Sequence, residues 1–425
     1  MSEDLEEIVA VGSIEELKQL SGIELDDLHK EFVDNVTIPS KQGKGTLRRI
    51  DEVFDCWFES GSMPYAQQHY PFENKERFEG GFPADFIAEG LDQTRGWFYT
   101  LMVIGTALFD QPPFKNLIVN GLVLAEDGKK MSKSLKNYPD PNLVINDCCA
   151  DALRLYLINS PVVRAETLKF SELGVKEVVR GVLIPWYSAF RFFMQGAESW
   201  ERETQQTFVP DVAVAVSSTN NADVWVLAAV SGLVDFVHAE MKAYRLYTVV
   251  PKLVSFIGEL TNWYVRLNRD RIKGTMGREE ATLGLQVLYE VLITMTQVMS
   301  PFTPFFCEFL YQSLRQFHPT YAVRDKADTP KDVLGAADSV HYLMIPVPDS
   351  SRINERAVKN FNALQDAVEA SRKARERRKL RSNLPLKNVL VIANNEQDIE
   401  ALKLLEGYFV TEINALSVSI QLPVP

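Results

Sequence analysis

Cysteine is scarce in this sequence: the 425 residues contain four, Cys56, Cys148, Cys149 and Cys307. Their spacing fits neither a disulfide framework nor a zinc site with paired ligands, so we expect no structural metal. No uncharged apolar run approaches the roughly 20 residues of a membrane span. The acidic segment Met1–Glu7 does not resemble a signal or transit peptide. We therefore expect a cytoplasmic protein that does not use a membrane.

An excess of basic charge is also missing. The 45 lysines and arginines are outnumbered by 57 aspartates and glutamates, which gives a net charge of −12. The overall charge therefore excludes non-specific attachment to nucleic acid, and any such contact must use local basic patches. The length allows two or three domains, each with its own core.

The segment from 50 to 125 has an α/β pattern. Residues 84–89 form a short strand candidate that ends at Gly90, and Asp92 is expected to cap a helix that runs to about Phe109. A second apolar strand follows at 117–119. Strand, helix and strand in this order predict a parallel, doubly wound sheet, in which ligands bind beyond the carboxyl ends of the strands.

The pattern becomes helical after Asp151. One apolar seam has spacings of three and four and is typical of a bundle helix; it consists of Leu227, Val230, Val234, Val237, Met241 and Tyr244. We predict further helices at about 172–197, 247–273, 279–299 and 303–317. A last long helix begins near Val358, and a strand follows at 389–392.

Residues 130–134 read Lys-Met-Ser-Lys-Ser and follow Gly128. Two lysines and two hydroxyls on a loop that the glycine makes mobile can bring positive charge up to a triphosphate and withdraw it again. A charged loop that is simply solvated is the structural alternative.

Two more segments carry candidate chemistry, 57–61 and 89–98. Glu89 lies at the predicted strand end, and Asp92 and Gln93 lie at the start of the helix. Carboxylates there could hold a ribose hydroxyl or an ammonium group, and a helix N-terminus favours anions. The alternative is that Asp92 only caps the helix while Trp57 and Trp97 only fill the core.

Together the three segments resemble the class I aminoacyl-tRNA synthetases, and within them the isoleucyl branch of the eukaryotic cytoplasm. The resemblance continues through 151–156, 244–247 and 262–266 and covers nearly the whole chain. The loop at 130–134, called the lysine loop below, is shared with valyl and leucyl relatives. The run Glu-Gly-Leu-Asp-Gln-Thr-Arg-Gly-Trp at 89–97 is similar to the isoleucyl enzymes, whereas valyl enzymes have a histidine-containing sequence there.

The resemblance implies ATP-dependent activation of isoleucine to the adenylate and its transfer to isoleucine tRNA. The adenylate-binding residues would be Glu89, Gly90, Asp92 and Gln93, with Trp57 and Trp97 as walls of the side-chain pocket. The catalytic loop would use Lys130, Ser132, Lys133 and Ser134, with Lys133 on the triphosphate. Magnesium accompanying ATP would share the charge. Membership of a larger synthetase complex stays open.

The five histidines form no His-x-Gly-His motif, which the family carries early in its nucleotide-binding fold. We therefore expect a fragment that lacks the first half of the catalytic domain and the editing domain, and that is inactive when isolated. The predicted order is the C-terminal part of the catalytic domain at 1–170, connecting helices at 171–215, an anticodon-binding bundle at 216–380 and the start of a C-terminal α/β region at 381–425.

Two basic clusters in the helical part are candidates for tRNA contact. The first contains Arg266, Arg269, Arg271 and Lys273. The second is denser and includes Arg372, Lys373, Arg375, Arg377, Arg378, Lys379 and Arg381, with only Glu376 opposing them. So many like charges favour tRNA phosphates as partners, although a solvated helix face is the alternative for the first cluster. A non-catalytic RNA-binding or assembly protein, a valyl or leucyl relative, and a plain nucleotide-binding protein remain rival functions.

Overall fold

The computed structural model describes residues 1–131, 140–326 and 329–423. The chain divides into two compact units, Met1–Leu117 and Ile118–Pro425. The predicted domain limits at 170, 215 and 380 stay predictions.

The first unit mixes short helices and strands. Its elements are α1 (Ile14–Ser21), α2 (Lys30–Val33), β1 (Thr37–Pro39), β2 (Thr46–Arg48), α3 (Cys56–Ala66), α4 (Lys75–Gly81), β3 (Ile87–Gly90), a 3-10 helix (Leu91–Arg95) and α5 (Trp97–Phe109); β4 (Leu117–Asn120) begins at its last residue. Strands β1 and β2 pair antiparallel, with Ile38 opposite Leu47.

The predicted strand, helix and strand are confirmed, because β3, α5 and β4 occur in that order. Ala84 bridges Phe114 in parallel, and the Ile87 amide donates to the Asn116 carbonyl at 3.0 Å. The prediction that Asp92 caps the helix is wrong. Asp92 lies inside the 3-10 helix, which delays the start of α5 until Trp97.

Helices α3 and α5 pack closely because a glycine lies between them. A Cβ at Gly61 would lie 2.8 Å from Ile104 Cδ1 and 3.0 Å from Thr100 Cβ, so a larger residue would push the helices apart. Next to this contact, the rings of Tyr70, Phe78, Phe82 and Phe109 form an aromatic cluster with centroid distances of 4.3 to 6.0 Å.

The second unit is mostly helical. Its elements are β5 (Val123–Leu124), α6 (Pro141–Cys148), α7 (Ala150–Ile158), β6 (Leu168–Lys169), α8 (Glu172–Val178), α9 (Ile184–Thr204), α10 (Val212–Val216), α11 (Asn221–Lys242), α12 (Leu246–Glu259), α13 (Arg269–Ile272), α14 (Arg278–Met299), α15 (Pro304–Leu314), α16 (Glu355–Arg377), β7 (Val389–Ile392), α17 (Glu396–Leu404), α18 (Glu406–Ile413) and β8 (Val418–Gln421). Strands β5 and β6 pair in parallel, and so do β7 and β8.

The predicted bundle helices and the strand at 389–392 are confirmed. The predicted helix at 172–197 is α8 and α9, joined without a break by a π-helical segment, Val179–Leu183; a second π-helical segment, Leu260–Val265, follows α12. The apolar seam lies on α11, except that Tyr244 falls beyond its end.

One apolar core joins α7, α9 and the bundle to the C-terminal helices, running from Leu155 to Ala415. It includes a stacked pair, Trp225 on Phe361, with ring centroids 3.7 Å apart. Helices α11 and α14 are long and apolar enough to cross a membrane by composition. Both supply buried residues to this core, as the central helices of a globular bundle do.

An aspartate ties α7 to the start of α15. The buried Asp151 accepts a hydrogen bond through Oδ2 from the Phe306 amide at 2.6 Å, which supplies a cap for α15. Its Oδ1 has no hydrogen-bond partner among the described residues. Burial raises the pKa of this carboxyl, against the lowering effect of the backbone amides at the helix start.

Candidate functional site

The residues predicted to bind the adenylate surround the end of β3. Glu89 and Asp92 are exposed, and Gln93 is half-buried. The Glu89 carboxylate accepts from the Gly90 amide at 3.3 Å, and the Gln93 amide donates to Asp92 Oδ2 at 3.4 Å. These contacts are local, so both carboxylates face solvent and remain accessible to a ligand.

Gln93 has a second contact that fixes the start of α5. Its Oε1 accepts from the Trp97 backbone amide at 3.1 Å, where the helix has no capping side chain of its own. The Trp97 indole donates to the Ser60 carbonyl at 3.0 Å. Hydrogen bonds therefore fix Trp97 at two points, its backbone amide and its indole nitrogen.

Trp57 lies against the same turn, on α3. A Cβ built at Gly96 would lie 2.7 Å from Trp57 Cη2, so the ring packs directly on the glycine backbone. Trp57 remains 44% exposed, so it borders an open space rather than filling a core. The structure thus brings together Trp57, Gln93 and Trp97, beside the strand end that carries Glu89 and Gly90.

A cavity of about 350 Å³ lies on the side of Trp97 that faces α3 and α4. Its lining is largely apolar and comprises Met63, Pro64, Gln67, Gln68, Phe78, Gly81, Phe82, Ala84, Phe86, Ile87, Ala88, Trp97, Leu101, Pro113 and Phe114. Trp97 therefore borders a cavity that Trp57 does not line, and the predicted role of both as walls of the substrate pocket stays a prediction.

The segment that leads to the lysine loop is a tight hairpin. The Ala125 amide donates to the Lys129 carbonyl at 2.9 Å, and Gly128 has a φ of 82° at the turn. Gly128 thus supplies a left-handed turn, and the predicted mobility of the loop stays a prediction. Lys130 is exposed and bridges Leu124 in the antiparallel sense. Ser132, Lys133 and Ser134 lie outside the described residues, so their predicted roles stay predictions.

The first basic cluster is not uniform. Arg266 and Arg269 are exposed, as contact with RNA requires, whereas Arg271 is buried. Arg271 pairs bidentately with Asp223, at 2.9 Å to Oδ1 and 2.8 Å to Oδ2. The prediction that Arg271 belongs to a basic RNA-facing cluster is therefore wrong, because its charge is neutralised inside the bundle.

The pair is part of a closed polar network. Asp223 also accepts from the Tyr264 hydroxyl at 2.8 Å and from the Ser218 hydroxyl at 2.6 Å. Burial alone would lower the pKa of Arg271, but the hydrogen bonds and charge of Asp223 outweigh it and raise the pKa above its ordinary value. Burial, with the same carboxylate, raises the pKa of Tyr264. Such a network fixes the bundle and leaves no group free for a ligand.

The second basic cluster lies at the end of α16. Arg377 is the last helical residue, Arg378 is the C-cap and Lys379 has a φ of 54°; all three are exposed. The Lys379 amide donates to the Glu376 carbonyl, and the Leu380 amide donates to the Arg375 carbonyl, which closes the helix as a Schellman motif. The three charges also suit the negative end of the helix dipole.

Arg375 departs from the predicted basic run. Its guanidinium is buried and donates to the carbonyls of Arg381, Leu384, Ile413 and Asn414 at 2.6 to 3.2 Å. It therefore fastens α16 to the end of α18 and is not available to phosphate. A glutamate that the sequence reasoning missed, Glu412 of α18, also opposes this cluster by pairing with Arg372 at 2.9 Å.

Comparison with known proteins assigns the two segments that carry these sites to known families. The model described as tRNA synthetases class I (I, L, M and V) matches residues 1–169, and the anticodon-binding domain of tRNA ligase matches residues 223–390. The chain belongs to the class I tRNA synthetase family. Within the described residues of this synthetase chain, no group of three or more histidine, cysteine or acidic side chains could hold a metal ion.

Named relatives match the synthetase chain over almost its whole length. The probable cytoplasmic isoleucine–tRNA ligase of Dictyostelium discoideum is 57% identical over 97% of this chain and 38% of its own length. Those of Schizosaccharomyces pombe and Mus musculus are 53% and 51% identical over 98% and 99% of this chain. The chain spans 33% to 38% of the length of these three proteins.

Solved synthetases share the fold at low identity. A ternary complex of Agrobacterium radiobacter LeuRS with tRNA and LeuAMS covers 91% of this chain and 44% of that chain, with a TM-score of 0.52 and 16% identity. Mycobacterium tuberculosis methionyl-tRNA synthetase with methionyl-adenylate covers 72% of this chain and 56% of that chain, with a TM-score of 0.50 and 16% identity. The predicted fold class is confirmed: part of a Rossmann-like catalytic domain followed by a helical anticodon domain.

Proposed function

We propose that this chain is part of a cytoplasmic isoleucine–tRNA ligase, which activates isoleucine with ATP and transfers it to isoleucine tRNA for translation. The observation that carries the proposal is the likeness, at 51% to 57% identity over nearly the whole chain, to three proteins of that name. The exposed carboxylates at the end of β3 and the two adjacent tryptophans support it.

The first step joins isoleucine to AMP. The amino acid's carboxylate attacks the α-phosphorus of ATP, pyrophosphate leaves, and a mixed anhydride forms. Glu89 and Asp92 suit the ammonium group and the ribose hydroxyls, because their carboxylates face solvent. Gly90 has no side chain to keep the adenylate from the backbone. Trp57 and Trp97 border the space for the branched side chain.

Charge develops on the phosphoryl oxygens and on the leaving pyrophosphate during this step. Lys130 and Lys133, with the hydroxyls of Ser132 and Ser134, are the residues proposed to stabilise it together with the magnesium that accompanies ATP.

The second step uses tRNA. The 3′-terminal hydroxyl attacks the anhydride carbonyl, AMP leaves, and the ester forms. The exposed residues Arg266, Arg269, Arg377, Arg378 and Lys379 are proposed to contact tRNA phosphates. Each such contact would contribute to a salt-dependent affinity.

A chimeric enzyme tests the proposal. The segment of the Schizosaccharomyces pombe ligase that aligns with this chain would be replaced by the chain, and isoleucine-dependent ATP–pyrophosphate exchange would be measured. We expect exchange within about tenfold of the parent, and a loss of about 100-fold or more for Lys133→Ala, since one electrostatic donor at a transition state contributes about 10²–10³.

Lys169→Ala is the matched control, because this exposed lysine lies in β6 and has no proposed role in the reaction. The isolated chain, assayed in parallel, is expected to show no exchange. A folded chimera that binds tRNA but gives no exchange would favour the rival function, a non-catalytic RNA-binding protein.

A further inference from the structure

Two arginines from different helical segments hold one carboxylate. Glu412 Oε1 forms an ion pair with Arg266 Nε at 2.9 Å, and Oε2 accepts a hydrogen bond from Arg372 Nη2 at 2.9 Å. The Glu412 side chain is only 6% exposed, whereas the side chains of Arg266 and Arg372 are 56% and 46% exposed. The two guanidinium groups are thus accessible to solvent, whereas the glutamate carboxylate between them is almost buried.

An aromatic ring adjoins the pair. The Arg372 guanidinium lies 5.6 Å from the centroid of Trp263, a distance at which a cation and a ring attract each other. Two guanidinium groups directed at two oxygens of one anion, beside an indole, are the groups that bind a phosphodiester and an adjacent base. Glu412 therefore occupies the position that a phosphate would take.

Glu412 is not needed to fasten α18. Arg375 already holds the end of that helix, with hydrogen bonds of 2.6 Å to the Ile413 carbonyl and 3.2 Å to the Asn414 carbonyl. The apolar residues Phe409 and Ile413 anchor it in the core. Displacement moves the Glu412 carboxylate out to solvent, and the incoming phosphate replaces its charge on both arginines, so no buried charge is left unpaired.

We propose that Arg266 and Arg372 form a binding site for an RNA backbone phosphate, and that Glu412 occupies this site in the free chain as a built-in competitor. The proposal rests on the RNA-binding role proposed above for the helical unit. Binding exchanges the carboxylate for a phosphate, and the side chain of Glu412 turns away while α18 stays in place.

Substitution of the competitor tests this. Affinity of the chain for an unmodified isoleucine tRNA transcript would be measured by fluorescence anisotropy over a series of KCl concentrations. Glu412→Gln should tighten binding roughly tenfold near 0.1 M salt. The slope of log affinity against log salt should also steepen by about 1, because the two unpaired arginines of the free variant bind anions from solution and release them when the phosphate binds.

Glu376→Gln is the matched control, since it removes the same charge from exposed α16 beside the second basic cluster. General electrostatics predict about the same small gain, below roughly threefold, for both variants. An equal gain and an unchanged slope for both would overturn the proposal while leaving RNA binding intact. Absence of binding by every variant would overturn the RNA-binding role as well.

A measurement on the unsubstituted chain covers the case in which Glu412→Gln does not fold. Phenylglyoxal modifies accessible arginines, and mass spectrometry locates the products. Saturating tRNA should protect Arg266 and Arg372 at least fivefold, while the exposed Arg356, which pairs with Glu400, keeps its rate. Unchanged modification of Arg266 and Arg372 in the complex would refute the site.

Discussion

The candidate adenylate site and the bundle interior use polar side chains in opposite ways. Around β3, Glu89 and Asp92 face solvent and contact only near neighbours in the sequence. In the bundle, Asp223, Tyr264 and Arg271 are buried and satisfy one another across three helical segments. Groups left with local contacts can exchange them for a ligand, whereas groups closed into a network hold the structure that presents the site.

The largest effect that tests this comparison is expected at Arg271. Arg271→Met keeps much of the volume but leaves the buried Asp223 without its counter-charge, which should cost about 3–5 kcal/mol in the free energy of unfolding. Urea denaturation measures it. Arg269→Met is the control, because this exposed arginine should change stability by less than about 0.5 kcal/mol. Equal costs for both would remove the distinction between the two kinds of arginine.

A smaller effect is expected where the first unit packs Trp57 on Gly96. Gly96→Ala places a methyl 2.7 Å from the ring, and the resulting displacement should cost about 1–3 kcal/mol. Trp57→Leu in the same chain should recover part of this loss, which a double-mutant cycle on denaturation would detect.

Gly80→Ala provides the comparison, because a methyl there meets no atom within 4 Å and α4 should gain about 0.5–1 kcal/mol. If Gly96→Ala also stabilises the protein, the site around Trp57 is looser than the structure indicates.

The raised pKa of the buried Asp151 should make the stability of the protein depend on pH. Burial raises its pKa, so the folded state binds more protons than the unfolded state, and the free energy of unfolding falls as pH rises from about 4 through the raised value. Asp151→Asn should remove this fall, which is at most about 1.4 kcal/mol for each pH unit. Thermal unfolding between pH 4 and 7 measures the slope.

Asp349 is a control of opposite sign, since hydrogen bonds from Ser351 lower its pKa. The stability that ionised Asp349 contributes is lost as pH falls. Asp349→Asn should therefore remove part of the decrease in the free energy of unfolding at acid pH. Parallel profiles for Asp151→Asn and the unsubstituted chain would contradict the effect of burial.

The smallest change is expected at Lys379, where two readouts should move in opposite directions. Glycine adopts the left-handed conformation at lower cost, so Lys379→Gly should stabilise the chain by about 1 kcal/mol. The lost charge should weaken tRNA binding severalfold and reduce its salt slope by about 0.7–0.9. Lys373→Ala removes a helical lysine of the same cluster and should weaken binding without stabilising the chain.

The sequence alone predicted the strand end, the following helix and the bundle, because apolar periodicity and length determine these elements. It misplaced the helix start at Asp92. The capping rule names residue types, but here the Gln93 side chain supplies the hydrogen bond to Trp97 and the chain first forms a 3-10 turn. Local propensity could not distinguish these two arrangements.

The basic clusters show a second limit. A count of charges cannot tell which arginines face solvent, although helical spacing could have done so. Arg375 follows the buried Val368 by seven residues, and Arg271 follows the buried Tyr264 by the same interval, so both lie on apolar faces. Glu412 gave no such signal, because its two arginine partners are distant in the sequence.

The π-helical segment Val179–Leu183 joins α8 and α9 into one continuous rod that packs against two separate apolar groups. Val175, before it, packs with Val144 and Ala152, whereas Trp186, after it, packs into the bundle. The wider turn absorbs one extra residue, so the side chains after it keep nearly the angular phase of those before it. Deleting exposed Arg180 would restore an ordinary α-helical pitch and rotate the later positions only slightly, so Trp186 should stay in register with its pocket. The extra residue is therefore absorbed within one turn, and a single helix axis serves both apolar groups.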